Sequence, residues 1–515
     1  MREENDELIE EEEHSSEEIL VVNDEAEPVN YKTSLLSVLK LSFPFTLNNY
    51  AFAIASILEG VIVYSRLTEK EIAATSLIEA TSGIVGGISG ALLLGTAPRA
   101  AQYFSQKKFK EAGSVLQQSW TLGLISFVPS ATLYACSGPI FNKLSQDKDT
   151  VALAYRYLLL MIFSLPFTKA VESDVLFLNS INRAKSVFVL NLISELIGLA
   201  LTYVLITEKL GLQGLAYSNL TKAVLSFIFF KLFLTCGKDL QSFQIFNLRL
   251  RTSVKELKQL FLIGYPITFM NLISVPISLF TKKIMPGWVG DTTLALNQVI
   301  EKAITFFTPI ADSITQATGI KVAEASGRNN VTSVKRYSTS GLLMNILYTS
   351  IAFSLFLALY RQLFSVFSPE GSQNFGFSDE FILLAFCLKS ISQPLYYSAY
   401  NCVTNLRSLE NYDVLIPTVI DAAITISIGI TFSYILGVRS GLGLAGFYAS
   451  DIMKLIGLNI GWYSRWNKRT SETHQCTNWN RFFSFFRTER RNNSPNGEEL
   501  LATNDELVDR EQLSF

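Results

Sequence analysis

From residue 36 to residue 464 the chain alternates long apolar blocks with short polar breaks. An apolar run of about 20 residues makes a helix roughly 30 Å long, the thickness of a bilayer core. The blocks predict twelve such helices, near 36–65, 72–96, 115–137, 152–178, 186–206, 213–235, 258–282, 294–320, 340–360, 380–404, 413–436 and 442–464. Polar sequence flanks them: an acidic, disordered tail over 1–35 and a second polar tail over 465–515.

Composition agrees with this pattern. Of 515 residues, 49% are hydrophobic and 17% charged, where a soluble chain carries about a quarter charged. An acidic N-terminus is the reverse of a basic n-region, so no cleavable signal peptide is expected. Five scattered cysteines, Cys136, Cys236, Cys387, Cys402 and Cys476, show no metal-ligand spacing, and no metal or cofactor site is expected. His14 and His474 both lie in the tails, so any proton relay inside the membrane falls to carboxylates. Walker loops, dinucleotide fingerprints and nucleophile elbows do not occur; neither an enzyme nor a nucleic-acid binder is expected.

Lysine and arginine gather in the breaks that follow even-numbered helices. They occur in 99-RAAQYFSQKKFK-110, at Arg249, Arg251, Lys255 and Lys258, at Arg328, Lys335 and Arg336, and in 465-RWNKR-469. Breaks after odd-numbered helices, such as 66-RLTEKE-71, are short or mixed. The positive-inside rule then puts both tails in the cytoplasm, consistent with a multi-pass protein of a bacterial inner membrane.

A repeat underlies the twelve helices. The segment 44-PFTLNN-49 returns as 266-PITFMN-271, a shift of 222. The same shift pairs Ala73 with Ala295, Ile78 with Ile300, Glu79 with Glu301, Asn179 with Asn401 and Lys185 with Arg407. Later the register drifts: Glu195 aligns with Asp421, and Ser218 and Lys222 align with Ser450 and Lys454. The chain therefore reads as an all-α polytopic membrane protein with two six-helix pseudo-repeats around a central cavity: an N-lobe over 36–236, a linker over 237–257 and a C-lobe over 258–464. Transporters built from repeats place their substrate at the repeat interface.

So aligned, the halves resemble the multidrug and toxic compound extrusion (MATE) family of the multidrug/oligosaccharidyl-lipid/polysaccharide exporter superfamily. The resemblance covers residues 36–464. It rests on the first helix, 41-LSFPFTLNNYAFAIASILEGVIVYSRLTEKEIAATSL-77, on 322-VAEASGRNN-330 and on the turn 178-LNSINRAKS-186. Two positions depart from the family pattern: 95-GTAPRAAQYFS-105 lacks the usual Gly-Gln…Gly-Ala, and Glu59 stands where the first helix usually carries Asp. The resemblance implies a secondary antiporter that exports organic, cationic solutes in exchange for protons by alternating access.

It also implies a site. In the proton-coupled branch, an asparagine and an acid one turn apart on the fifth helix join the first-helix acid; the matching positions are Asn191, Glu195 and Glu59. Residues four apart share a helix face, and desolvation plus a neighbouring acid favours a proton on such a carboxylate. Pro44 lacks an N–H and gives the first helix a place to bend. Sodium is the competing ion, since carboxylate and amide oxygens suit a hard cation. Glu79, Glu301, Lys302, Asp312, Lys389 and Asp421 form a second tier of cavity candidates. Glu79 and Glu301 share a structural role, Glu172 and Asp174 are expected to be solvated, Lys282 and Lys283 to snorkel, and Phe and Tyr to face lipid or core. The expected partners are a small-molecule solute and the bilayer, with a monomeric protein. Two alternatives stay open: a lipid-linked precursor flippase using Lys302 and Lys389 for a pyrophosphate, and a non-transporting or secreted bacterial membrane factor whose address is 496-NGEELLATNDELVDREQ-512.

Overall fold

A computed structural model of the chain describes residues 30–143, 148–206, 210–246, 254–281, 285–367, 378–409 and 413–492. The acidic stretch before residue 30, Arg249, Arg251, Lys282, Lys283 and residues 493–515 lie outside the described residues, as does the side chain of Lys302.

The described residues form twelve long helical units, two short helices at Met285–Val289 and Tyr360–Phe367, and no strand. The first half holds α1 (Tyr31–Arg66), α2 (Glu69–Leu93, continued as Thr96–Ser105), α3 (Phe109–Lys143), α4 (Lys148–Ile162 and Leu165–Ser180), α5 (Ala184–Leu205) and α6 (Gly211–Cys236). A short 3-10 turn, Lys238–Phe243, follows. The second half holds α7 (Val254–Leu279), α8 (Asp291–Ile304 and Thr308–Gly327), α9 (Val331–Ala358), α10 (Asp379–Arg407), α11 (Leu415–Ile424, continued by π-type turns to Arg439) and α12 (Gly443–Asn492). Among the described residues seven helices are long and apolar enough to cross a bilayer, and α4, bent by 58°, makes an eighth. Pro166 opens the second arm of α4 just past that bend, where a missing N–H costs least. Among the other four units, α8 and α10 share the Glu301–Lys389 pair and α12 carries the Asp451–Lys454 pair.

The repeat is visible in the backbone. Helix α2 spans 69–105 and α8 spans 291–327, a shift of 222 at both ends, and α3 and α9 begin at 109 and 331 with the same shift. Lys107 and Asn329, again 222 apart, both adopt a left-handed conformation in the turns between them, with φ of 59° and 55°. Past the fourth turn the shift grows: α5 and α11 begin at 184 and 415, a difference of 231, and α6 and α12 at 211 and 443, a difference of 232. Gly211 and Gly443 open α6 and α12 at φ of 54° and 53°, a conformation glycine adopts without a Cβ clash. Thr68 caps α2 through a capping box with Glu71, and Asn330 caps α9 at Ser333 N, 2.9 Å away, each satisfying an orphan N–H.

The halves meet along α1 with α8 and α7 with α2. On the side where the chain begins they are also hydrogen-bonded: Gln106 donates to the Gly327 carbonyl at 2.7 Å and Gln102 to the Ser408 carbonyl at 3.3 Å. Ser34 and Ser340 hydroxyls lie 2.6 Å apart there, and Arg99 donates to Gln259 at 2.9 Å.

Candidate functional site

Helix α5 is exposed and apolar on one side, while Asn191, Ser194, Glu195, Gly198 and Thr202 form a buried polar strip on the other. The i, i+3, i+4, i+7 spacing puts these residues on one face, and α1 and α6 pack against α5. Asn191 and Glu195 do share that face, but they reach different helices. Asn191 donates to the Asn48 side chain of α1 at 2.8 Å. Glu195 accepts from Lys222 of α6 at 2.6 Å, the pair being mostly buried.

Glu59 lies on the same side of the N-half. Lys222, Glu195 and Glu79 are its charged neighbours, and the Asn219 side chain is its hydrogen-bonding neighbour. Asn219 also donates to the Tyr157 hydroxyl of α4 at 2.9 Å. Glu59 and Glu195 are therefore brought together around one lysine, a group that sequence reasoning noticed only as a repeat match. Its signal was available, because a lysine recurring at 222 and 454 within apolar helices requires a partner. Pro44 is buried inside α1, which continues through it to Arg66, leaving the Lys40 carbonyl without its usual i+4 N–H donor. Glu79 is exposed.

Gly198 explains why the lysine can reach. A Cβ at this position would stand 2.6 Å from Lys222 Cδ. Ser218 donates to the Gly198 carbonyl at 3.1 Å, and its hydroxyl lies 2.7 Å from that of Thr202. The second half repeats the frame. Ser450 is bonded to the Gly429 carbonyl at 3.2 Å and to Ser433 at 3.0 Å, with Lys454 Cδ 3.3 Å from a Cβ on Gly429.

This frame corrects one alignment. Gly198 matches Gly429 and Thr202 matches Ser433, both at a shift of 231, so the position matching Glu195 is Ile426 and not Asp421. Asp421 sits more than a turn earlier, accepting from Thr425 Oγ1 at 3.1 Å. Lys454 instead pairs with Asp451 on its own helix at 2.7 Å. The C-half thus keeps the lysine and its scaffold, but the ion pair of Lys454 is with Asp451 on its own helix, and Asp421 of α11 is only an electrostatic neighbour.

Other second-tier residues separate by role. Glu301 of α8 accepts from Lys389 of α10 at 2.7 Å, with the lysine 5% exposed; Lys389 also lies 5.2 Å from the Tyr448 ring centre. Asp312 faces the tyrosines of α10: the Tyr397 hydroxyl is its hydrogen-bonding neighbour, and Tyr396 and Tyr400 lie within electrostatic reach. Tyr396 stacks on Tyr400 with ring centres 5.9 Å apart.

Asp174 corrects a second expectation. Its side chain is 0% exposed and is held by Lys231 at 2.7 Å and by the Trp120 N–H at 2.7 Å. Lys231 lies 3.7 Å over the Trp120 ring. A buried acid must be paired and hydrogen-bonded, and three helices supply what the local sequence does not. Glu172 is partly exposed and accepts from Lys169 at 2.7 Å. Among the described residues no cluster of His, Cys, Asp and Glu has metal-binding geometry.

Comparison with known proteins places this architecture. The MatE family model matches residues 44–204. The probable multidrug resistance protein NorM of Mannheimia succiniciproducens is 23% identical over 350 residues, covering 66% of this chain and 74% of that protein. NorM of Bacillus cereus is 24% identical over 386 residues, covering 73% and 81%. YoeA of Bacillus subtilis, also a probable multidrug resistance protein, is 23% identical over 371 residues, covering 69% and 77%. Among solved structures, an outward-facing multidrug resistance MATE-family transporter superposes with a TM-score of 0.75 at 17% identity, covering 87% of this chain and 99% of that one. The eukaryotic MATE transporter AtDTX14 gives 0.72 at 14% identity, covering 86% and 98%. With its doubled six-helix halves, the chain has the fold of the MATE transporters and is similar in sequence to these multidrug resistance proteins.

Proposed function

We propose that the protein is a secondary antiporter that exports organic cations in exchange for protons, with Glu59 and Glu195 as the proton-coupling carboxylates. The observation that carries this reading is the charge balance around Lys222. Two carboxylates, Glu59 and Glu195, have one lysine between them, and an unbalanced charge inside a membrane protein is costly. A proton on Glu59 relieves it; its departure restores the charge and favours a cation in the cavity. Asn191, bonded to Asn48, fixes α5 to α1, so movement of α1 about Pro44 is coupled to the acids. Alternating access then exchanges the contacts of the halves on the side where the chain begins, which this reading takes as the cytoplasmic face of a bacterial inner membrane. The protein acts as a monomer. Lys389 is engaged by Glu301, which favours the antiporter over a pyrophosphate-binding flippase.

The test is ethidium-dependent proton movement in proteoliposomes. Native protein is expected to acidify or alkalinise the lumen in step with ethidium flux, and Glu59→Gln and Glu195→Gln to lose that coupling while still folding. Proton movement unchanged in both variants would overturn the assignment.

A further inference from the structure

The lysine between the two acids has a second consequence. Lys222 Nζ stands 2.6 Å from Glu195 Oε2, and the stem is guided across Gly198, where even a methyl group would collide with it. Ser218 and Thr202 lock α5 against α6 at that level. The ammonium is therefore a built-in cation, delivered by the backbone to the carboxylate. We propose that Lys222 is the ion-selectivity residue of the N-half: it occupies the place at Glu195 that a sodium ion would take, and so restricts the site to protons.

Sodium and proton differ in what they require. A hard metal cation needs several oxygen ligands at contact distance, carboxylates foremost. Here one oxygen of Glu195 is committed to an ammonium, and a sodium ion drawn to Glu59 meets that positive charge as a neighbour, which disfavours it. A proton bonds to a single oxygen of Glu59 and needs no shell. The groups facing this place are Glu59, Glu79, Tyr157, Asn219 and Glu195; Lys222 is the cation shared by Glu59 and Glu195 among the described residues. In the C-half the same scaffold carries Lys454, but Ile426 stands at the position of Glu195, Asp451 on the same helix takes the ammonium, and Asp421 is only an electrostatic neighbour.

This inference rests on the N-half acids being the coupling site, yet its test is binding, read without transport. Sodium alone, as radiolabelled ion, is titrated onto the purified full-length protein. Lys222→Met is expected to bind sodium at least about tenfold more tightly than native protein. Lys222→Arg should match native protein, and Lys454→Met should not gain sodium binding. Gly198→Ala keeps the charge but displaces the stem, and should fall between native protein and Lys222→Met. Native protein binding sodium as tightly as Lys222→Met overturns the proposal, as does a folded Lys222→Met or Gly198→Ala with no gain. Should Lys222→Met fail to fold, Gly198→Ala and the native titration decide. Loss of ethidium-linked proton movement in native protein would sink the antiport reading while leaving the sodium result standing.

Discussion

Asn49 and Asn271 stand 222 residues apart and make the same contact in opposite directions. Asn49 of α1 donates to the Pro309 carbonyl of α8 at 3.4 Å and to Ser313 Oγ at 3.0 Å. Asn271 of α7 donates to the Gly87 carbonyl of α2 at 2.6 Å. The two acceptors, Gly87 and Pro309, are again 222 apart, so the repeated Pro-x-Thr-x-x-Asn segment closes a pseudo-twofold seam between the halves. Replacing either asparagine by alanine is expected to cost about 1 kcal/mol, the net worth of one hydrogen bond. The double variant should lose the sum, because the sites share no partner. Melting temperature in detergent reads this; no loss in either single variant would show the seam to be incidental.

Glu195 and Lys222 should show strong coupling in a double-mutant cycle. Glu195→Gln removes the carboxylate bonded to Lys222 and leaves the mostly buried ammonium with Glu59 as its more distant acidic neighbour, at a cost of about 2 kcal/mol after allowing for its partial exposure. Glu195→Gln combined with Lys222→Met removes both charges and should recover much of that loss. Additive losses would mean that the 2.6 Å contact contributes nothing to stability.

The Asp174 cluster is expected to be structural. Asp174→Asn strands the Lys231 ammonium in a buried place and should cost about 3 kcal/mol. Trp120→Phe removes one hydrogen bond to the carboxylate and weakens the cation–π contact, a smaller loss of about 2 kcal/mol. Under the proposed function, proton-coupled transport by whatever protein remains folded should be unchanged; a selective loss of coupling in Asp174→Asn would move this cluster into the transport machinery.

Glycines separate sharply by what surrounds them. A Cβ at Gly446 would collide with the Leu436 carbonyl, and one at the equivalent Gly214 would stand 2.6 Å from the Leu205 carbonyl. Alanine at either position must move backbone and is expected to cost about 1–3 kcal/mol. At Gly83 nothing lies within 4 Å, so Gly83→Ala should be neutral or stabilise α2 by up to about 1 kcal/mol. Thermal stability of the three variants in parallel checks the contrast.

Much of the fold was legible in the sequence because a bilayer imposes a simple rule. Each backbone polar group must be satisfied within its own helix, so apolar length reads out as helix number. The repeat was legible for a related reason: Pro44 and Pro266, or Glu79 and Glu301, mark equivalent helices whatever their surroundings. Drift was the weak point. Nine or ten extra residues accumulate before α11 and α12, and sequence matching absorbed them in the wrong place, pairing Glu195 with Asp421 where the backbone pairs it with Ile426.

Partners were what the sequence could not supply. Asn191 and Glu195 were correctly assigned to one helix face by their spacing, but spacing within a helix says nothing of the helix opposite. That Asn191 bonds Asn48 and that Glu195 holds Lys222 depend on contacts 143 and 27 residues apart in the chain, and Glu59 comes within electrostatic reach of the same lysine from 163 residues away. Asp174, expected in solvent, is buried because Trp120 and Lys231 arrive from α3 and α6. The sequence by itself determined twelve helices, their pairing into halves and a carboxylate that needs a partner, since those follow from local hydropathy and periodicity. Only the tertiary structure decided which cation meets which acid, because a charge in a membrane is stabilised by whatever packing brings to it.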